Sequence, residues 1–231
     1  MRKAIVQYYI DTSHYSDPDY NDLSSNDRSL VSISRKSFES YAEKIGVDFL
    51  HIDKPKLNYK HPTFERFDLW LDDTWWQKYD QILYVDSDVF AMPDAPDVFE
   101  TYPDLDTFKI CESSGWQKGL KELSGILEKI SKQDQMKYGF QTGVFMLTKY
   151  SAQKMRPWIS RYRELDDHDG HIMVWSAVQS QVPVERMDWR YNYKRAYYTG
   201  HPEIYFFHAQ GKKKEKHHKR IHAWLHGKGL C

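Results

Sequence analysis

A central, mostly parallel β-sheet flanked by helices is the fold class this sequence predicts, and three observations lead there. Residues 82–85 (Ile82, Leu83, Tyr84, Val85) are consecutively apolar or aromatic, as in a strand buried on both faces. Residues 4–10, 29–45 and 47–52 follow one another as strand, helix and strand, which predicts a parallel βαβ unit with a right-handed crossover. At 231 residues the chain is long enough to bury a sizeable α/β core.

Each element has its own signal. Residues 4–10 are short, apolar and aromatic, interrupted by Gln7, and a polar loop with Asn, Ser and Asp-Pro-Asp follows over 13–26. Its Asp17 and Asp19 take no metal role, because no strand precedes them and Pro18 separates them. Leu30, Ile33, Phe38, Tyr41 and Ile45 recur at helical spacing up to the stop at Gly46. Residues 63–77, with Arg66, Phe67, Leu69, Trp70, Trp75 and Trp76, predict a second amphipathic helix that feeds the strand at 79–90. Further strands are expected at 107–111, 140–147 and 204–208, and helices at 119–136, 151–162 and 166–179. Gly143 inside its strand marks a close approach of backbone or ligand. The acidic start of the last helix, Asp166, Asp167 and Asp169, also suits a helix N-terminus on dipole grounds alone.

Composition excludes several classes. There are 33 basic and 33 acidic residues, so no global field points to nucleic acid or a membrane surface. Two cysteines, Cys111 and Cys231, are too few for a disulfide framework. No window approaches the ~18 apolar residues of a membrane span, so a cytoplasmic protein without a span is expected. Aromatic residues make up 16% of the chain, with 8 Trp and 17 Tyr, and rings with polar edges stack sugars and bases as well as filling cores.

The chemistry-bearing stretch is Asp86-Ser87-Asp88 at the end of the 82–85 run. In extended chain Asp86 and Asp88 leave on one side and Ser87 on the other. Two converging carboxylates repel unless a cation lies between them, which asks for a divalent metal at the carboxyl end of a central strand. An Asp-rich turn is the alternative.

Together these pieces resemble the nucleotide-sugar glycosyltransferases of GT-A fold, most nearly the family 8 type that includes glycogenin and bacterial galactosyltransferases. The resemblance runs from Ala4 to about Lys214 and implies one GT-A domain over 1–231, with a basic His/Lys-rich segment at 212–231. Asp86-Ser87-Asp88 resembles the family's Asp-x-Asp, which holds Mn²⁺ against the diphosphate of a UDP-sugar, and His208 its distant third ligand. Two carboxylates and one imidazole leave an octahedral ion open positions, and the nitrogen favours Mn²⁺ over Mg²⁺. His208, Gly211 and Lys214 match the family's His, Gly and Lys spacing, with Lys212 and Lys213 as rivals for the last. The glycine would admit the phosphate and the lysine would face it. A solvated basic tail is the other reading of that stretch, and is the one adopted for most of 216–228.

Weaker matches extend the implied site. Tyr8, Tyr9 and Asp11 stand where the family holds uracil and ribose, Arg66 where it carries a basic residue toward the donor, and Gln141-Thr142-Gly143 resembles its Asn-x-Gly donor-sugar segment. Asp169 resembles the leading Asp of an Asp-Gln-Asp motif, with Gly170-His171 in place of Gln-Asp. These departures leave the donor sugar open. Asp169 and Gln141 are expected to orient it. Asp167, Asp169 and Glu112 are candidate bases should the enzyme invert configuration. Trp189 and Asn192 resemble a Trp-Asn pair, and Trp116, His171 and Trp189 are acceptor-site candidates. The implied partners are a nucleotide-sugar donor and a glycan or other hydroxyl acceptor. Rival readings are a sugar-phosphate nucleotidyltransferase, disfavoured because no glycine-rich phosphate loop follows the first strand, and a non-enzymatic carbohydrate-binding module.

Overall fold

A computed structural model describes residues 1–10, 25–59, 62–112, 140–164, 169–194, 203–209 and 214–230, without the side chains of 25–27, 112 and 214–218. Strand β1 (Lys3–Tyr8) opens the chain and helix α1 (Ser25–Ile45) follows. The helix ends where Gly46 adopts φ +70°, a left-handed backbone that costs glycine little, and the Val47 amide donates to the Ala42 carbonyl at 3.0 Å. β2 (Asp48–Ile52) then pairs in parallel with β1 and completes the predicted βαβ unit.

The helix expected at residues 63–77 is three pieces: a 3-10 turn, Pro62–Phe67, then α2 (Asp68–Leu71) and α3 (Thr74–Lys78). Asp72 breaks the run, because its backbone is extended and its carboxylate accepts the Thr74 amide at 2.9 Å. β3 (Gln81–Asp86) stops at the first aspartate; Ser87 and Asp88 form a turn, and β4 (Val89–Ala91) leaves the sheet. The single extended run expected across Asp86-Ser87-Asp88 is therefore replaced by a strand, a turn and a second strand. α4 (Val98–Thr101) is capped by the Asp97 carboxylate and precedes β5 (Phe108–Glu112). β6 (Phe140–Thr148) runs into α5 (Lys149–Tyr162) through a Thr148/Ser151 capping box. α6 (Asp169–Ser180), β7 (Val184–Met187), a 3-10 turn at Trp189–Asn192, β8 (Phe206–His208) and α7 (Lys214–Gly227) complete the described chain. The helix expected at 119–136 lies outside the described residues.

Among the described residues the main sheet has six strands in the order β2-β1-β3-β6-β5-β7, and of these β6 alone runs against the others. β7 has no counterpart in the sequence reading, since a short Val184-Glu185-Arg186-Met187 at a half-exposed edge lacks a continuous apolar run. Alternate residues of the central strands feed two cores. Ala4, Val6, Ile82 and Tyr84 pack with Trp70 and Phe145 on one face; Ile5, Leu83 and Val85 pack with Phe38 and Tyr41 on the other. Both faces being covered is the condition a parallel sheet requires.

β4 and β8 form a separate two-stranded ribbon, antiparallel, with Val89 opposite His208 and Phe90 opposite Phe207. The basic C-terminal stretch is not a solvated tail over its whole length: in α7, Ile221 and Leu225 are buried with Leu30 and Ile33 of α1 and Phe207 of β8. Two apolar residues four apart among lysines and histidines suffice to seat one helical face. Among the described residues no helix is long and apolar enough to cross a membrane.

Candidate metal and donor site

Asp86 is the last residue of β3, opposite Tyr8 of β1, so its carboxylate stands at the carboxyl end of the sheet's centre. The turn at Ser87–Asp88 hands the chain to β4, whose pairing with β8 returns His208 to the same point. The Ala209 amide donates to the Asp88 carbonyl at 2.9 Å, which fixes this return. His208 Nε2 then lies 3.2 Å from Asp88 Oδ1 and 3.9 Å from Asp86 Oδ2. One ligand atom from each of the three residues falls within 4.8 Å of the others.

The imidazole is held in one orientation. His208 Nδ1 is 2.7 Å from Asn192 Oδ1, and the Asn192 amide nitrogen donates to the Gln141 carbonyl at 3.4 Å. With that amide orientation Oδ1 is an acceptor suited to an Nδ1–H, the arrangement that would leave Nε2 available to a metal held by the carboxylates. His208 is 2% exposed and Asn192 3%. Gly143 of β6 makes room for both ligands: a Cβ there would lie 2.3 Å from His208 Cε1 and 2.9 Å from Asp86 Oδ2. The close approach expected at this glycine is to two side chains.

Asp86 is gripped from below. The Tyr84 hydroxyl donates to Asp86 Oδ1 at 2.6 Å, and Arg66 Nη1 approaches the same oxygen at 3.5 Å while donating to the Thr142 carbonyl at 2.8 Å. The other Arg66 nitrogen pairs with Asp169 Oδ2, and the guanidinium lies over the Tyr84 ring at 5.2 Å. Arg66 is thus a buried cation, 4% exposed, shared between the first aspartate and the start of α6. Burial, followed by the Asp86 carboxylate, holds the Tyr84 phenol well above its ordinary range, so it remains a donor. Burial lowers the pKa of Lys194, while the Asp86 and Asp88 carboxylates act on it in the opposite direction.

Six residues from the sequence reading therefore meet here: Asp86, Asp88, His208, Gly143, Arg66 and Asp169. Gln141 is next to them, 6% exposed, with its side-chain Oε1 buried and, among the described residues, without a hydrogen-bond partner. Ser87 is half-buried in the turn, and His171 half-buried in the first turn of α6. Tyr9 is half-buried just past β1, its amide donating to the Ile52 carbonyl at 2.9 Å. Tyr8 is packed in the core with its hydroxyl donating to Asp68 at 3.0 Å. Trp189 is 47% exposed and tilted against Tyr193 at 5.2 Å. Asp11, Trp116, Asp167 and Gly211 lie outside the described residues, as do the side chains of Glu112 and Lys214.

Two contributors were not legible as site residues. Gln7, the polar interruption in β1, donates to the Asp86 carbonyl at 3.3 Å and to Ser34 Oγ at 2.9 Å, tying the end of β3 to α1. A lone buried polar residue in an apolar strand was its signal. Lys194 carried none, because nothing in its neighbours distinguishes it from a surface lysine.

No protein-family model matches the sequence, and no curated protein matches it. Solved structures do match. A glycosyltransferase involved in the glycosylation of the major capsid of PBCV-1 aligns over 96% of this chain and 100% of its own, with a TM-score of 0.64 at 14% identity. GlyE of Streptococcus pneumoniae TIGR4 aligns over 93% of this chain at TM-score 0.54 and 14% identity. The WbbM bifunctional glycosyltransferase aligns over 91% at TM-score 0.59 and 10% identity. The fold is that of the GT-A glycosyltransferases. This chain spans all of the capsid enzyme's structure, 56% of GlyE and 46% of WbbM.

The GT-A fold implies a divalent cation on its Asp-x-Asp segment, and the residues present fit one. The Asp86, Asp88 and His208 donors converge. The histidine ring is held through Nδ1 by Asn192, and the space beside both ligands depends on the missing side chain of Gly143. A set of two hard oxygens and one imidazole nitrogen suits Mn²⁺ and tolerates Mg²⁺.

Proposed function

We propose that this GT-A chain is a metal-dependent glycosyltransferase that moves a sugar from a nucleotide-diphosphate sugar, in the first place a UDP-sugar, to a hydroxyl of a glycan or other acceptor. The convergence of Asp86, Asp88 and His208 at the carboxyl end of the central strand carries this reading. Asp86, Asp88 and His208 would hold a Mn²⁺ that, when bound, would supply Lewis-acid charge to the leaving diphosphate. In the reaction the bond from the anomeric carbon to the diphosphate breaks, a bond to the acceptor oxygen forms, and the acceptor's hydroxyl proton passes to the departing diphosphate, or to a carboxylate base if the configuration inverts.

The chain's own groups divide the remaining work. Lys194 is the cation this reading places against the leaving diphosphate, together with Lys214 and the backbone at Gly211 from the segment after β8. Asp169, its carboxylate fixed by Arg66, and Gln141, whose Oε1 has no hydrogen-bond partner among the described residues, orient the donor sugar by accepting its hydroxyls. Gly143 and Ser87 line the donor's diphosphate side, and Tyr9 with Asp11 its nucleoside side. Trp189 offers an exposed ring for an acceptor sugar, with His171 and Trp116 as further acceptor contacts. Asp167, Asp169 or Glu112 serves as base if the configuration inverts.

Replacing Asp88 with Asn removes one metal-binding charge at nearly constant shape. Turnover of the UDP-sugar with Mn²⁺ is expected to fall by roughly a hundredfold or more, the scale of losing one fixed electrostatic contact to the reacting centre. Full activity in Asp88→Asn would overturn the assignment.

A further inference from the structure

The third metal ligand sits on the least self-sufficient part of the sheet structure. β4 and β8 are three residues each and, among the described residues, pair only with one another apart from a single bridge from Tyr193 to Phe207. A two-stranded ribbon is marginal by itself and depends on what covers its faces. His208 points to the site, so its neighbour Phe207 points the opposite way. On that outer face Phe207 stacks on Phe90 at 5.8 Å, and Trp224 of α7 meets it edge-on at 4.9 Å. Leu225 and Ile221 of the same helix are 0% and 1% exposed, locked with Leu30 and Ile33 of α1 into the cluster that holds Phe90 and Phe207. A polar contact pins the helix as well, His222 Nε2 lying 3.1 Å from Ser29 Oγ.

We infer that α7 is a positioning element for the metal site: Trp224 and Leu225 set the β4–β8 ribbon, and through Phe207 they hold His208 against Asp88. The inference rests on the metal-site reading above. Only tenths of an ångström of ribbon movement separate a productive ligand distance from a poor one, and packed cores transmit such shifts because they have few voids to absorb them. The opposite face of the ribbon touches the main core through Phe206, which meets Phe38 at 5.1 Å, so loosening α7 leaves the six-stranded sheet with its own packing.

The test is Mn²⁺ affinity of the full chain, measured by calorimetry or electron paramagnetic resonance, without any sugar donor. Leu225→Ala and Trp224→Ala are expected to weaken Mn²⁺ binding by about tenfold, the scale on which groups behind a metal ligand act. Leu225→Met keeps the volume and is expected to restore binding. Ile159→Ala, an equally buried truncation in the core cluster on the far side of the sheet, is the control, expected to lower thermal stability while leaving Mn²⁺ affinity within about twofold. Wild-type affinity in Leu225→Ala and Trp224→Ala, or an equal loss in Ile159→Ala, would overturn the inference. Failure of the wild-type chain to bind Mn²⁺ at all would remove the metal-site reading itself, and this inference with it.

Discussion

Gly143 and His208 are packed so closely that a methyl group on the glycine would lie 2.3 Å from the imidazole Cε1. His208 cannot retreat easily, since Asn192 and the pairing of β8 hold it, and Asp86 on the other side is held by Tyr84 and Arg66. Gly143→Ala is therefore expected to displace one ligand and reduce Mn²⁺ affinity by about tenfold or more. A metal titration set beside a thermal melt checks this, and unchanged affinity in a folded variant would contradict it.

Asn192 Oδ1 lies 2.7 Å from Nδ1 of His208, where it can accept an Nδ1–H. Asn192→Ala frees the ring and leaves Nδ1 buried without a partner, so Mn²⁺ binding is expected to weaken by roughly tenfold to a hundredfold. Asn192→Asp retains an acceptor at that position and is expected to bind metal better than the alanine variant. The same titration compares them; equal affinity in the two would mean that Asn192 acts through packing alone.

Much of this site could be read from sequence, for identifiable reasons. Asp86 and Asp88 follow four apolar residues, and that contrast is visible without coordinates. His208 was reachable through its spacing to Gly211 and Lys214, a matter of resemblance. The Asp-Ser-Asp turn was read as extended chain because residue pattern does not reveal where a strand leaves a sheet for another partner; the partner, β8, is more than a hundred residues away. Thr63 to Gln77 read as one helix because Asp72 breaks it by a side-chain turn that apolar spacing cannot show. The C-terminal lysines and histidines masked Ile221 and Leu225, whose burial depends on α1 and β8. Tyr8 illustrates the same limit at one residue, since alternation says that neighbouring side chains diverge and leaves open which one meets the core.

The carboxylates that would bind the metal also act on Lys194, raising its pKa against the lowering effect of burial. Lys194→Met is expected to have opposite effects on two measurements. Mn²⁺ affinity should rise by roughly threefold to tenfold, since a competing positive charge is removed at partly buried range. Transfer from the UDP-sugar should fall, because the diphosphate loses a counter-charge. Titration and initial-rate assays on one preparation test both, and a fall in both would place Lys194 in a structural role.

His51 provides a pH signature outside the site. Its Nδ1 lies 3.2 Å from Gln7 Oε1, and burial first, then the Arg35 guanidinium, lower its pKa from the ordinary 6.5. The folded chain thus takes up this proton at lower pH than the unfolded chain does. The stability that neutral His51 contributes is complete above 6.5 and is lost as the pH falls from there through the lower folded value. Urea midpoints at about pH 7.5 and about pH 5.5 are expected to drop more in the wild type than in His51→Gln. Identical pH slopes would contradict this.

Nucleotide binding with and without Mn²⁺ tests the central claim most directly: a thermal-shift panel of UDP, GDP, CMP and their common sugars, run on the wild type and Asp88→Asn. A ligand that binds the native state alone raises its apparent stability. The account predicts stabilisation by UDP or a UDP-sugar that requires Mn²⁺ and disappears in Asp88→Asn. No shift with any nucleotide in the presence of Mn²⁺, or the same shift in Asp88→Asn, would contradict it.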